Sequence, residues 1–352
     1  MASIEQSMGT TVLRGTTVVR VTEATEAAEG RRVASALAGR VGFTPEQAGR
    51  VALVATETAT NILRHGGGGE LLVSPAERGG KRGVEILALD NGPGMRDVRR
   101  SMEDGYSTGG SSGTGLGAIE RLSSECEIYS TPGKGTAVLA RVFPEGSGRR
   151  DLCGESDLEI GGVAVPMHGE ELCGDAWASR PDPCGCLILV ADGLGHGPAA
   201  AEASARAVQV FREYPDNEFP ELIERMHGAL RSTRGAAVAL ARVCTGERGV
   251  AFAGVGNISG AVVAEGGTVK QMVSHAGTIG HEYRRVQEFR YAYPEGAVVV
   301  LHSDGITTHW SLDAYPGLRE HSAAMIAAVL YRDFNRGRDD ATVVVVKERR
   351  RA

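Results

Sequence analysis

Val190-Ala191-Asp192-Gly193-Leu194-Gly195-His196-Gly197 decides the reading of the second half of the chain. An apolar run, Leu187 to Ala191, ends in an aspartate that is followed at once by glycine. Three further aspartate sites share this character: Cys173-Gly174-Asp175, Ser303-Asp304-Gly305 and Arg338-Asp339-Asp340. The last two abut apolar runs as well, Val298 to Leu301 and Val343 to Val346. One Asp-Gly is an ordinary turn dipeptide. Four acidic sites at strand ends are a different matter, because carboxylates that converge repel one another unless cations lie between them. Hard oxygen donors of this kind suit Mg²⁺ or Mn²⁺. Two such ions can bind and activate one water for in-line attack on phosphorus.

Outward from that stretch, residues from about 158 to 347 hold many short β-rich runs, among them Ile160 to Val165, Cys186 to Asp192, Ala236 to Val243, Val250 to Val255 and Ala341 to Val346. Helical patterns interrupt them at Pro198 to Glu213, Glu221 to Leu230 and Arg319 to Arg332. Two packed sheets with helices outside fit this inventory. Upstream, Pro144 to Asp157 is polar, has no apolar periodicity and reads as a linker.

The region from about Thr10 to Phe143 has its own logic. Helical spacing runs over Glu26 to Val41, and a second helix is expected from Thr44 to about His65, with Thr44 as N-cap, Pro45 at N1 and Gln47 completing a capping box. Glu57 and Asn61 are four apart on that helix and share one face. A glutamate can act as general base, and an asparagine oxygen can ligate Mg²⁺. Such a pair alone is more often a solvated helix face. The strand Val84 to Asp90, however, runs into Asn91-Gly92-Pro93-Gly94, which suits close approach of a flat ring with the carboxylate accepting an exocyclic amine. A polar loop then ends in Gly113-Thr114-Gly115-Leu116-Gly117 at the start of a helix, where backbone N–H groups can cradle phosphates.

In this order these elements resemble the GHKL ATPases, in particular their RsbT-type switch-kinase and anti-sigma branch. Glu57-x-x-x-Asn61 is similar to the N box, Asp90 to Gly94 to the first glycine box, and Gly113 to Gly117 to the second; Gly135-Thr136 is similar to the late Gly-Thr. The resemblance implies an α/β sandwich with Glu57 as catalytic base and Asn61 as Mg²⁺ ligand. Asp90 and Thr136 would hold adenine, and Gly92, Gly94, Gly113, Gly115 and Gly117 would line the nucleotide. The second region resembles the SpoIIE/RsbX/RsbU branch of the PPM phosphatases, through Gly174-Asp175, Val190 to Gly197, Ala253-Gly254-Val255-Gly256-Asn257, Ser303-Asp304-Gly305 and Asp339-Asp340-Ala341-Thr342. That implies an α/β/β/α sandwich in which Asp192, Asp304 and Asp339 hold metal directly and the Gly193 carbonyl assists. Asp175 would act directly or through water, Asp340 would orient Asp339, and Asp192 would anchor catalysis. His196 is expected to support the site rather than react. The phosphate-gripping arginine of the classical members has no identifiable position in this sequence.

The resemblance therefore implies an α/β two-domain (α+β) chain: residues 10–143 as an ATP-binding switch kinase, 144–157 as linker and 158–347 as phosphatase. The expected activity is ATP-dependent phosphorylation and Mg²⁺- or Mn²⁺-dependent dephosphorylation of serine or threonine on a STAS-domain antagonist protein. The alternative is a phosphatase whose first domain only binds ATP and sequesters a partner or gates the second. With 352 residues, a net charge of −6 and no basic patch beyond Arg149-Arg150 and the tail from Lys347 to Arg351, the composition implies no general affinity for nucleic acid. No apolar stretch approaches a membrane span and no secretory leader precedes the first region, so a cytoplasmic protein is expected. The six cysteines, without C-x-x-C spacing, are expected as reduced thiols.

Overall fold

The computed structural model describes residues 11–13, 16–78, 80–102, 115–144, 157–215 and 218–349. The chain divides into two compact units, one within residues 16–153 and one formed by residues from 154 onward together with the first fifteen.

In the first unit the order is β2 (Thr17–Val21), α1 (Ala24–Arg40), α2 (Pro45–Asn61), β3 (Gly69–Arg78), β4 (Lys81–Asp90), α3 (Val98–Met102), α4 (Gly115–Leu122), β5 (Glu125–Ser130) and β6 (Thr136–Val142). The strands form one antiparallel sheet in the order β2-β3-β4-β6-β5. Helices α1 and α2 bury Ala34, Leu37, Val51 and Ala55 against Leu71, Val73, Ile86 and Val138 of the sheet. The expected cap is present: Gln47 N donates to Thr44 Oγ1 at 3.3 Å and Thr44 N donates to Gln47 Oε1 at 3.0 Å. Instead of running on as α-helix to His65, α2 passes at Asn61 into a π-helical turn, Ile62–Gly66, ended by Gly67 in the left-handed region (φ 70°). Single π-turns of this kind recur at functional sites.

The second unit contains β7 (Leu158–Val165), β8 (Asp175–Asp182), β9 (Gly185–Gly193), α5 (Pro198–Glu213), α6 (Phe219–Leu230), β10 (Ala236–Cys244), β11 (Gly249–Val255), β12 (Ser259–Val263), β13 (Val269–Met272), β14 (Ser274–His275), β15 (Gly277–Thr278), β16 (Glu282–Tyr283), β17 (Phe289–Ala292), β18 (Val298–His302), α7 (Ala323–Phe334) and β19 (Ala341–Glu348). One sheet runs β8-β9-β10-β11 with β14 and β17 beyond; the other runs β13-β12-β18-β19-β7. Ile188, Val190, Ala239 and Phe252 of the first meet Val262, Val299, Leu301 and Val344 of the second, which makes the inter-sheet core. Helices α5 and α6 cover the outer face of the first sheet through Phe211, Phe219 and Leu222. Helix α7 lies on the second sheet so closely that a Cβ on Gly161 of β7 would fall 2.3 Å from Ala324 N. The architecture is the α/β/β/α sandwich the sequence implied. Helix α7 starts at Ala323, later than expected, because the Ser322 hydroxyl caps it by accepting Met325 N–H at 3.2 Å.

Two sequence expectations need correction. Thr11–Leu13 (β1), assigned to the first region, pairs antiparallel with β8 from Thr11↔Ser179 to Leu13↔Trp177 and belongs with the second unit. Among the cysteines, Cys184 and Cys244 are joined as a disulfide. The β9–β10 register places Cys244 opposite Gly185, so two residues 60 apart in sequence come to a Cα–Cα distance of 4.8 Å, which spacing along the chain does not reveal. Cys126, Cys173 and Cys186 are free thiols, and Cys153 lies outside the described residues, as does the expected linker between Pro144 and Asp157.

Candidate functional site

The acidic centre forms where strand ends of both sheets in the second unit meet. Asp175 opens β8, Asp192 lies at the end of β9, and the antiparallel register makes them direct cross-strand partners. Like charges so placed are destabilising by themselves. Asp175 is 5% exposed. Its Oδ2 accepts the Ser303 hydroxyl at 2.6 Å, while its Oδ1 is buried without a hydrogen-bond partner. Ser303 is fixed in turn, because its Oγ accepts Thr342 N–H at 2.9 Å. Asp304 follows Ser303 and accepts Asn257 Nδ2–H on Oδ2 at 2.7 Å. Asp339 Oδ1 accepts the N–H of Asp340 at 2.9 Å.

Asp340 does more than orient its neighbour. Its two oxygens accept Met167 N–H at 2.8 Å and Gly174 N–H at 2.9 Å, which ties the loop that leads into Asp175 to the start of β19. Gly193 must be glycine: a Cβ there would lie 2.0 Å from Ala200 O, where α5 packs on the end of β9. His196 Nδ1 pairs with Glu170 Oε1 at 2.7 Å on the rim.

Electrostatics report the same crowding. Burial, then the charges of Asp175, Asp304, Asp339 and Asp340, push the Asp192 carboxyl up to about 9. Burial pushes Asp175 up to about 7 against the hydrogen bond from Ser303. Among the described residues no three His, Cys, Asp or Glu side chains already close on a common point at ligand distance. The donors are nevertheless all hard oxygens, and the orphaned Asp175 Oδ1 is an acceptor that a cation would satisfy. Asp192, Asp304, Asp339, the Gly193 carbonyl and Asp175 are the oxygen donors here that could hold Mg²⁺ or Mn²⁺. Ser303 and Asn257 were missed as supports. Both stand inside the quoted motifs, but their partners lie 128 and 47 residues away; the β12–β18 pairing brings Asn257 to Asp304, and the packing of the two sheets brings Ser303 to Asp175.

The second candidate site lies in the first unit. Helix α2 presents Glu57 and Asn61 toward the start of α4: a Cβ on Gly115 would lie 3.2 Å from Asn61 Oδ1 and 3.4 Å from Glu57 Oε2. The amide nitrogen of Asn61 is buried without a hydrogen-bond partner. Asp90, 9% exposed at the end of β4, accepts on Oδ1 the N–H groups of Gly92 (2.9 Å) and Thr136 (3.2 Å). Gly66, delivered by the π-turn, packs on Asp90 so tightly that a Cβ would fall 2.5 Å from the aspartate Cβ. Gly94 needs its positive φ of 67°, and a Cβ there would lie 2.2 Å from Thr131 O. The Thr136 hydroxyl is within 3.0 Å of Ser130 Oγ. Gly117 is buried in α4. Glu57, Asn61, Asp90, Gly92, Gly94, Gly115 and Thr136 thus sit on elements of one unit, whereas Gly113 and most of the polar loop before it lie outside the described residues.

Comparison with known proteins divides along the same line. The family model described as "Histidine kinase-like ATPase domain" matches residues 21–142. The model described as "Stage II sporulation protein E (SpoIIE)" matches residues 182–349. The serine/threonine-protein kinase RsbT of Bacillus subtilis (strain 168) is 34% identical over 122 residues, 35% of this chain and 92% of that protein. The phosphoserine phosphatase RsbX of the same organism is 25% identical over 154 residues, 44% of this chain and 74% of that protein. A chain solved in work on the bacterial stressosome as a modular system controlling secondary messenger signaling is 29% identical, with a TM-score of 0.50, and the match covers 54% of this chain and 99% of that one.

Proposed function

We propose, for a chain that belongs to the histidine kinase-like ATPase domain family through residues 21–142 and carries a SpoIIE-type PPM phosphatase domain through residues 182–349, a two-headed regulator of a partner-switching pathway. Its second unit removes phosphate from serine or threonine of a phosphoprotein. Its first unit transfers phosphate from ATP to serine or threonine of a STAS-type antagonist protein. The observation that carries the phosphatase reading is the pair Asp175 and Asp192, cross-strand neighbours with a buried oxygen that lacks a partner. A protein does not keep such a pair for stability; it is suited to a divalent cation.

When bound, Mg²⁺ or Mn²⁺ would supply positive charge that favours water attack on phosphorus and offsets charge on the phosphoryl oxygens. The chain's own part is orientation. Ser303 and Asn257 each hold one carboxylate oxygen and leave the other for the cation. In the first unit Glu57 is the general base toward a partner hydroxyl, Asn61 holds the Mg²⁺ of Mg-ATP, and Asp90 reads the adenine amine. The test is incubation of the full chain with a STAS-domain protein and ATP, with and without Mn²⁺, reading phosphorylation by mass spectrometry. Phosphate added without Mn²⁺ beyond Mg-ATP and removed on its addition is the expected result. If no phosphate is added, the first unit is a binding module. If none is removed from phosphorylated partner, the phosphatase reading is wrong.

A further inference from the structure

The aspartates of the second unit account for cations but leave a phosphoryl dianion without a protein counter-charge. The turn between α6 and β10 holds one. Thr233 N donates to Leu230 O at 2.9 Å, Gly235 N donates to Thr233 Oγ1 at 3.1 Å, and Gly235 O accepts Leu194 N–H at 3.0 Å. His281 Nε2 donates to Arg234 O at 2.8 Å from the opposite side. The backbone of Arg234 is therefore fixed beside the stretch Asp192 to Gly195, and the β9–β10 register, with Ala237 opposite Asp192 and Ala236 opposite Gly193, puts it just past the ligand end of both strands.

Its side chain reaches back over Gly195. A Cβ on that glycine would lie 3.1 Å from Arg234 Nη1, and Gly195 has a positive φ of 84°. The other side of Gly195 faces the acidic centre: a Cβ on Gly174 would lie 3.4 Å from Gly195 O and 2.5 Å from Asp340 Oδ2. Arg234 is exposed, and its guanidinium makes no ion pair or hydrogen bond among the described residues. Two arginines on the strands of this unit's first sheet, by contrast, are engaged. Arg180 donates to the carbonyls of Phe211 and Pro215, and Arg242 pairs with Asp182 and Glu218. The neighbouring rim side chain, His196, is already bonded to Glu170. We infer that Arg234 binds the non-bridging phosphoryl oxygens of the substrate, as a clamp supplied from the α6–β10 turn over Gly195. A guanidinium offers paired donors that match a phosphate edge, and one not already engaged gives up no ion pair to do so.

This rests on the phosphatase reading, so its test reads phosphate binding directly as well as turnover. Inorganic phosphate is titrated calorimetrically into the full chain loaded with Mn²⁺, for wild type, Arg234→Ala and Arg234→Lys. Hydrolysis of p-nitrophenyl phosphate and Mn²⁺ binding are followed in parallel. Arg234→Ala should weaken phosphate about tenfold to a hundredfold, the loss expected for a charge-assisted hydrogen bond, and raise KM for p-nitrophenyl phosphate comparably. Mn²⁺ affinity should hold, and Arg234→Lys should recover part of the phosphate binding. Unchanged phosphate affinity in Arg234→Ala overturns the assignment, as does weakened Mn²⁺ binding in that variant or a wild type that binds no phosphate. A wild type that binds phosphate through Arg234 but hydrolyses nothing would instead refute the phosphatase reading and leave the clamp standing.

Discussion

Loading the acidic centre with Mn²⁺ at pH 7 should release protons, and the number follows from the geometry. Asp192 is pushed up to about 9 by burial and by four neighbouring aspartates, and Asp175 to about 7 by burial. At pH 7 the pair therefore holds roughly one to two protons that a divalent ligand must displace. The two titrate as a coupled pair, so the sum is the measurable quantity. Calorimetric titration of Mn²⁺ in two buffers of different ionisation enthalpy reads it as a slope. Release of roughly one to two protons means that apparent affinity rises about tenfold to a hundredfold per pH unit near neutrality. Stability has the matching sign. Both carboxyls lie above the unfolded aspartate value, so the metal-free fold holds more protons than the unfolded chain. The stability this contributes is present below about pH 4 and is lost as pH rises toward about 9. Mn²⁺ should therefore raise the melting midpoint more at pH 8 than at pH 6. Asp192→Asn should remove about one proton from the count. Fewer than about half a proton released by the wild type, or a midpoint gap that narrows with pH, would refute the idea that crowded, buried carboxylates are what the cation relieves.

Three other outcomes test the remaining parts. Asp90→Ala should weaken Mg-ATP by roughly 1–3 kcal/mol in calorimetry, since it removes the acceptor for adenine together with the latch on Gly92 and Thr136; equal affinity removes the assignment. Glu57→Ala should abolish phosphate transfer while leaving dephosphorylation intact, and Asp304→Ala should do the reverse and leave a partner phosphorylated. Phosphopeptide mapping that placed the two activities on different residues would separate the heads' substrates. Gly135→Ala should destabilise the first unit by about 1–3 kcal/mol in thermal denaturation, because φ is 78° and the new Cβ would fall 2.0 Å from Asp90 O; an unchanged midpoint would mean the turn relaxes freely.

What was legible in the sequence is what local chemistry dictates. A Thr-Pro-x-Gln start forced the α2 cap, and aspartates beside glycine or beside apolar runs singled out Asp175, Asp192, Asp304 and Asp339 as candidates, of which the fold makes Asp175 and Asp192 cross-strand partners. Illegible features depend on register. β3 was not foreseen; it contains Pro75, a residue poorly suited to a central strand, and among the described residues its pairing with β2 covers Gly69 to Val73. The Cys184–Cys244 link joins neighbouring strands and the Ser303–Asp175 bond joins the two sheets, in both cases between residues far apart in sequence, which no composition or spacing rule relates.

The same distinction explains why the two sites differ in how much of each a sequence can show. The candidate nucleotide pocket is drawn from the run Glu57 to Thr136, whose described members sit at a helix face, a strand end or a glycine turn, so that order along the chain suggests the assembly. The acidic centre gathers residues from 167 to 340, through strands of both sheets, and its parts are single aspartates that mean little alone. What unites them is a physical cost, carboxylates placed opposite and beside one another in a buried corner, with Asp175 Oδ1 left unbonded. That cost is tolerable if it is relieved on binding. A site that is strained when metal-free and relaxed when loaded couples folding, metal and pH in one unit, so the second unit should respond to divalent-cation supply in a way the first does not. Melting the full chain with and without Mn²⁺ should therefore move one transition and leave the other in place. A common shift of both would show that the metal is felt beyond the acidic centre, and then the two activities could not be treated as independent heads.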